Sequence, residues 1–164
     1  MAEDATKSGN AFRNAAVEMA GRNWLVAKLL DKGFQVSIPV VDHGIDLIVF
    51  DEVGERGIRA LPLQLKCARE ERFSLSTKYD GRGVVMTYIW NALDNPTVFM
   101  LTYEEALSAL GRRANTPSWD KGHYTVTRVP SALRTLLENR YGDRWDWLRE
   151  RLAEQPPSNV LAQP

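Results

Sequence analysis

Soft and borderline metal ligands are scarce in this chain: its 164 residues include one cysteine, Cys67, and two histidines, His43 and His123. A lone cysteine excludes an internal disulfide, and Cys67 with two distant histidines makes no zinc constellation, so any metal must be held by oxygen ligands. Long apolar runs are missing as well. No window approaches the roughly 18 apolar residues that a membrane helix needs, so the chain reads as soluble with no membrane partner. The first residues, Met1 to Asn10, are small and polar without an apolar stretch. That fits neither a secretory leader nor a transit peptide and makes a cytoplasmic location the expectation. An excess of one charge is absent too, because 21 basic and 21 acidic side chains balance, whereas many nucleic-acid binders are basic overall. The basic residues are nevertheless grouped: Lys66, Arg69, Arg72, Lys78 and Arg82 mid-chain, and Arg134, Arg140, Arg144, Arg149 and Arg151 near the end. Neither a P-loop nor a dinucleotide fingerprint occurs, and Gly81-Arg82-Gly83 reads as a turn, so no nucleotide cofactor is expected. No serine, histidine and acid arrangement points to nucleophilic catalysis.

What is present is enough chain to bury a core without staples. The expected organisation is a flexible N-terminus over 1–10, one domain over 11–153 and a disordered, proline-rich tail over 154–164. Periodicity predicts a long first helix from Ala11 to Lys32, capped by Asn10 and stopped by Gly33. Strands are expected over Phe34 to Ile38, Ile45 to Phe50 and Ile58 to Cys67, the last two joined as a hairpin through Asp51 to Gly57. Arg72 to Ser76 is a weaker strand, Tyr79 to Gly83 a loop, and Val84 to Trp90 and Thr97 to Leu101 two further strands. Thr102-Tyr103-Glu104-Glu105 is a capping box that opens a helix running to Arg112. A loop over Asn115 to Gly122, a short strand from His123 to Arg128 and helices over Ser131 to Arg140 and Asp143 to Ala153 complete the chain. This order predicts an α/β sandwich around a central mixed β-sheet.

Two runs depart from plain core sequence, His43 to Val49 and Leu61 to Cys67. Each sets polar groups inside strand-like apolar sequence, where burial without partners costs roughly 2 to 7 kcal/mol per group. In the third strand Leu61, Leu63, Leu65 and Cys67 share one face, leaving Pro62, Gln64 and Lys66 on the other. A hairpin turning at Glu55 sets Asp46 opposite Gln64, and one turning at Arg56 sets it opposite Lys66; in both registers the side chains share a face. Glu18 lies with Gly21, Leu25 and Leu29 along a helical stripe. It either completes the set from the helix or pairs on the surface with Arg22, four residues on. An Asp, a Glu, an amide oxygen and strand-end carbonyls make a hard-oxygen site suited to Mg²⁺ or Mn²⁺. A lysine beside such a metal can orient a water and stabilise charge on a phosphate.

In this combination and order, a long helix with Glu18, then Gly44-Ile45-Asp46 opening one strand and Gln64-Leu65-Lys66 on the next, the stretch from Ala11 to Tyr103 resembles the PD-(D/E)xK, or restriction-endonuclease-like, nucleases. It resembles a Gln-x-Lys variant whose core, with its helix-borne glutamate, is similar to that of Holliday-junction resolvases. The resemblance implies a restriction-endonuclease-like α/β/α sandwich and metal-dependent hydrolysis of phosphodiesters, as a Mg²⁺-dependent DNA endonuclease. It implies that Asp46, Gln64, the Leu65 carbonyl and Glu18 hold Mg²⁺ (or Mn²⁺) and that Lys66 serves the attacking water. DNA is the implied partner, and a homodimer is implied where both strands are cut. Ile45 stands where the pattern has proline, a common change. Gln64 stands where it has an acid, which lowers metal affinity unless Glu18 or Asp42 compensates. Two other readings stand beside this one: a catalytically weak or inactive module on the same fold that binds nucleic acid or protein, and a structural domain whose polar strand residues only bond to one another. His43 is a candidate phosphate contact, although a solvated or backbone-bonded histidine is the commoner role. Arg69, Arg72, Lys78 and Arg82 are candidates to track a phosphate backbone, and the interleaved Glu70 and Glu71 fit a solvated edge equally well.

Overall fold

The computed structural model describes residues 2–41, 43–51, 57–111, 119 and 121–156, with side chains from residue 11 onward. Helix α1 (Ala2–Asp31) buries Val17, Gly21, Leu25 and Leu29, one position in every four, so a single stripe meets the sheet. Its start corrects the sequence expectation. Asn10 lies within helical backbone rather than capping it, and the helix begins at Ala2 rather than Ala11. Alanines at 2 and 5 favour helix, and Glu3 and Asp4 sit at the positive end of the helix dipole, which together outweigh a cap at Asn10. The other end is as expected. Gly33 takes φ +82°, its N–H donates to the Leu30 carbonyl and that of Phe34 to the Leu29 carbonyl, closing the helix in a Schellman motif over the buried Phe34.

The strands, in chain order, are β1 (Gln35–Ser37), β2 (Leu47–Phe50), β3 (Ala60–Cys67), β4 (Phe73–Ser76), β5 (Val85–Trp90), β6 (Thr97–Leu101) and β7 (His123–Val126). Five of them form the central sheet in the order β1-β2-β3-β5-β6, mixed because β3 and β5 run parallel while the other neighbours are antiparallel. The strand expected near Arg72 forms outside this sheet, as a separate two-stranded pair of β4 with β7. Parallel neighbours cannot be joined by a tight turn, so residues 68–84 must cross over one face of the sheet. Side chains of β5 hold them there: Trp90 Nε1 donates to the Arg72 carbonyl at 2.6 Å, Tyr88 Oη donates to the Ser74 carbonyl at 2.8 Å, and Phe73 stacks on Tyr88 at 4.3 Å.

Three more helices follow among the described residues: α2 (Tyr103–Leu110), α3 (Ser131–Tyr141) and α4 (Trp145–Glu154). The capping box of α2 forms as expected, with Glu105 N–H donating to Thr102 Oγ1 at 3.1 Å and Thr102 N–H to Glu105 Oε2 at 2.8 Å. One face of the sheet packs through Leu47, Leu61, Leu63, Val85 and Met100 against α1 and α4. The other packs through Met86, Tyr88, Trp90, Phe99 and Leu101 against α2, α3 and the small sheet. A mixed sheet between two helical layers is an α/β sandwich. The hairpin tip at 52–56, most of the expected loop from Asn115 to Gly122 and the tail beyond residue 156 lie outside the described residues. No described helix is long and apolar enough to cross a membrane.

Candidate functional site

The site forms where β2 peels away from β3. The pairing of Leu47 with Leu63 extends one residue, through a 3.0 Å bond from the Asp46 N–H to the Leu63 carbonyl. The paired residues keep the register of a hairpin turning at Glu55, and Asp46, bonded to the Leu63 carbonyl, reaches Gln64 through its side chain. Upstream of Asp46 the chain leaves the sheet, with Gly44 at φ +97°, while β3 continues to Cys67. The N–H and C=O of Leu65 face the vacated position, and side chains take the place of the missing strand. Asp46 Oδ2 accepts the Leu65 N–H at 2.6 Å, and Gln64 Nε2 donates to the Leu65 carbonyl at 3.0 Å. The same Nε2 donates to Asp46 Oδ2, and Gln64 Oε1 accepts from the Tyr79 hydroxyl. Gln64 is only 5% exposed, and these bonds remove the cost that its burial would otherwise carry.

Tyr79 arrives with the crossover. It ends a 3₁₀ turn (Thr77–Tyr79) anchored to the carbonyl of Gly122, which accepts from Thr77 N–H at 2.9 Å, Ser76 Oγ at 3.0 Å and Thr77 Oγ1 at 3.2 Å. Two ammonium groups lie against the Tyr79 ring, Lys78 Nζ at 4.7 Å and Lys66 Nζ at 5.7 Å from its centroid, within cation–π range. A Cβ on Gly44 would come within 3.4 Å of the same ring and 3.5 Å of Lys78 Nζ. These are ordinary van der Waals distances, so it is the positive φ, not the closeness of the tyrosine, that calls for glycine here.

The opposite wall comes from α1. Glu18 and Arg22 line one cleft of about 590 Å³ together with His43, Lys66, Lys78 and Tyr79. Among the described residues Glu18 and Arg22 form no ion pair, and Arg22 Nε is buried without a hydrogen-bond partner. The surface-pair alternative for Glu18 is therefore not what the fold adopts. Burial pushes the Cys67 thiol up to about 12, the negative charges of Asp46 and Glu18 add to the rise, and Arg22 and Lys66 oppose it. The thiol is consequently protonated near neutrality and is no nucleophile. Its surroundings also show that four charged side chains, two from α1 and two from the sheet edge, act on a single sulfur.

The remaining candidates are only partly gathered. Arg69 and Arg72 line an adjacent groove with Arg13, Glu70 and Glu71, and the groove meets the cleft at Glu18 and Cys67. Arg82 is exposed beyond Tyr79 and lines neither hollow, and Asp42 lies outside the described residues. Tyr79 went unread in the sequence as a site residue because only the crossover, not local spacing, brings it to Gln64. Arg22 was legible only as a partner of Glu18, although its position one turn along already put it on the same wall. The oxygens available to a cation are those of Asp46, Gln64, the Leu65 carbonyl and Glu18. Among the described residues no group of three or more His, Cys, Asp or Glu is placed to hold a metal ion. No protein-family model, curated protein or solved structure matches the chain.

Proposed function

We propose that this chain is a metal-dependent phosphodiesterase of the restriction-endonuclease-like fold that cuts DNA with Mg²⁺ or Mn²⁺. The observation that carries the reading is the meeting of Asp46, Gln64 and the Leu65 carbonyl at the edge where β2 ends, in a cleft that also holds Lys66 and Lys78. Asp46 and the Leu65 carbonyl present hard oxygens there, and Mg²⁺ is commonly held by one or two carboxylates, completed by water and phosphate oxygens. Asp46, the Leu65 carbonyl, the Gln64 amide oxygen and Glu18 would hold it. Such a cation, when bound, polarises a phosphoryl oxygen and makes a nucleophile of a bound water. Lys66, on the same strand face as Gln64, would hold the attacking water and stabilise charge developing on the phosphate. Lys78 and Arg22 neutralise the phosphodiester as it enters between the Tyr79 wall and α1.

The test is incubation of single-stranded, duplex, branched and supercoiled DNA with Mg²⁺ and then Mn²⁺, comparing wild type with Lys66→Ala. Cutting that requires the metal and falls by about 100-fold or more in the variant is the expected result. Folded wild-type protein that cuts none of these substrates with either ion overturns the proposal. One observation favours a second reading, a non-catalytic DNA-binding module on the same fold: the Gln64 amide satisfies Asp46 and Leu65 with no cation at all. That module retains DNA without cleaving it, and the same incubations, followed by a gel-shift measurement, separate the two.

A further inference from the structure

Gln64 presents the wrong atom to a cation. A single nitrogen, Nε2, lies between Asp46 Oδ2 and the Leu65 carbonyl oxygen and donates a proton to each, and an N–H donor cannot ligate a metal. The oxygen of the same amide points the other way, to the Tyr79 hydroxyl. With no cation present this is the orientation the chemistry requires, because Asp46 Oδ2 and the Leu65 carbonyl are both acceptors and need a donor between them.

We infer that the Gln64 amide is a two-position switch held by Tyr79, and that a cation enters the site only with a half-turn of that amide. The inference rests on the metal-dependent reading above. A half-turn about the terminal bond, whose torsion is broad and two-fold, exchanges Oε1 and Nε2. Oε1 then joins Asp46 Oδ2 and the Leu65 carbonyl as a third oxygen, and Nε2 meets Tyr79. The tyrosine accommodates both positions because a hydroxyl can donate to an amide oxygen or accept from an amide nitrogen. Only the Tyr79 bond reverses direction; the two bonds that Nε2 gives to Asp46 and the Leu65 carbonyl are given up and replaced by attraction of all three oxygens to the cation, so a group 5% exposed can turn without being left unsatisfied. Tyr79 is thus a positioning residue: its ring and backbone anchor stay fixed while the amide reads whether a cation is present.

An acid at this position behaves differently. A carboxylate has no donor to offer Asp46, so two negative groups face each other until a cation separates them. Glutamine yields an edge that is complete when empty and binds the ion more weakly, since the apparent affinity is reduced by the fraction of amide already turned.

The experiment is NMR of the full chain labelled with ¹⁵N and ¹³C, titrated with Mg²⁺, alongside thermal unfolding of wild type and Gln64→Glu. The expected result is a saturable shift of the Gln64 side-chain amide signals, with new or stronger contacts between its NH₂ protons and the Tyr79 ring, absent in Asp46→Ala. Gln64→Glu is expected to melt lower without cation and to bind Mg²⁺ about tenfold more tightly. Stabilisation by Mg²⁺ with unmoved Gln64 amide signals overturns the switch and leaves the metal reading standing. No response of melting or spectra to Mg²⁺ overturns both. If Gln64→Glu does not fold, the wild-type spectra decide alone.

Discussion

At the scale of single residues, Asp46 and Lys66 sit in one cleft but answer to different physics. Asp46 Oδ2 accepts from both Leu65 N–H and Gln64 Nε2, so Asp46→Ala strands two donors at a strand edge. A loss of about 1 to 3 kcal/mol is expected, measured by urea unfolding, together with loss of any thermal stabilisation by Mg²⁺. Lys66 is half-buried, with its ammonium against the Tyr79 ring. Lys66→Ala should change stability by less than about 1 kcal/mol while removing cleavage. Unfolding curves and a nuclease assay run on both variants give this split directly; a Lys66→Ala variant as unstable as Asp46→Ala would show that the lysine is structural.

At the scale of elements, the contact of α1 with β3 is set by a missing side chain. A Cβ on Gly21 would lie 2.6 Å from Cys67 Sγ and 3.0 Å from Cys67 Cβ, closer than real contacts allow. Alanine improves helix propensity by about 1 kcal/mol over glycine, yet the overlap pushes α1 from the sheet at a cost of about 1 to 3 kcal/mol. Gly21→Ala should therefore be no more stable than wild type, and displacement of Glu18 and Arg22 should weaken the proposed cleavage with it. Adding Cys67→Ala removes the Sγ overlap and should restore part of the stability, a coupling that a double-mutant cycle measures. The start of α2 behaves more simply: Thr102→Ala deletes the cap to Glu105 N–H and should cost about 1 kcal/mol. This junction was legible in the sequence because its whole mechanism lies within four residues. The start of α1 was not, because the Asn10 cap competes with helix-forming residues on its N-terminal side.

At the scale of the whole molecule, burial raises three weak acids, the Cys67 thiol to about 12 from an ordinary 9.0 and the Tyr88 and Tyr103 phenols upward from their ordinary range. Folding favours their neutral forms, so above pH 9 the unfolded chain releases protons that the folded chain keeps. Stability is therefore full below about pH 9 and falls as pH rises toward 12. Urea midpoints taken from pH 8 upward should decline, less steeply in Cys67→Ala. The mixed sheet, most strand limits and the nearness of Asp46 to the Gln64-Leu65-Lys66 run could be read from alternation and hairpin register, which are local patterns, although the register itself stayed open between Gln64 and Lys66. The position of β4 outside the sheet and the placing of Tyr79 could not, since both depend on a parallel pairing that leaves no trace in nearby residues.

The Tyr79 wall also has a place in time. Asp46 and Gln64, 18 residues apart, meet through one hairpin, whereas the turn carrying Tyr79 is tethered through Ser76 to Gly122, 46 residues away. Closing the longer loop costs more chain entropy and comes later on average. During refolding the carboxylate and amide should meet first and gain their hydroxyl partner only as the β4–β7 pairing closes, so the cleft matures after the sheet that bears it.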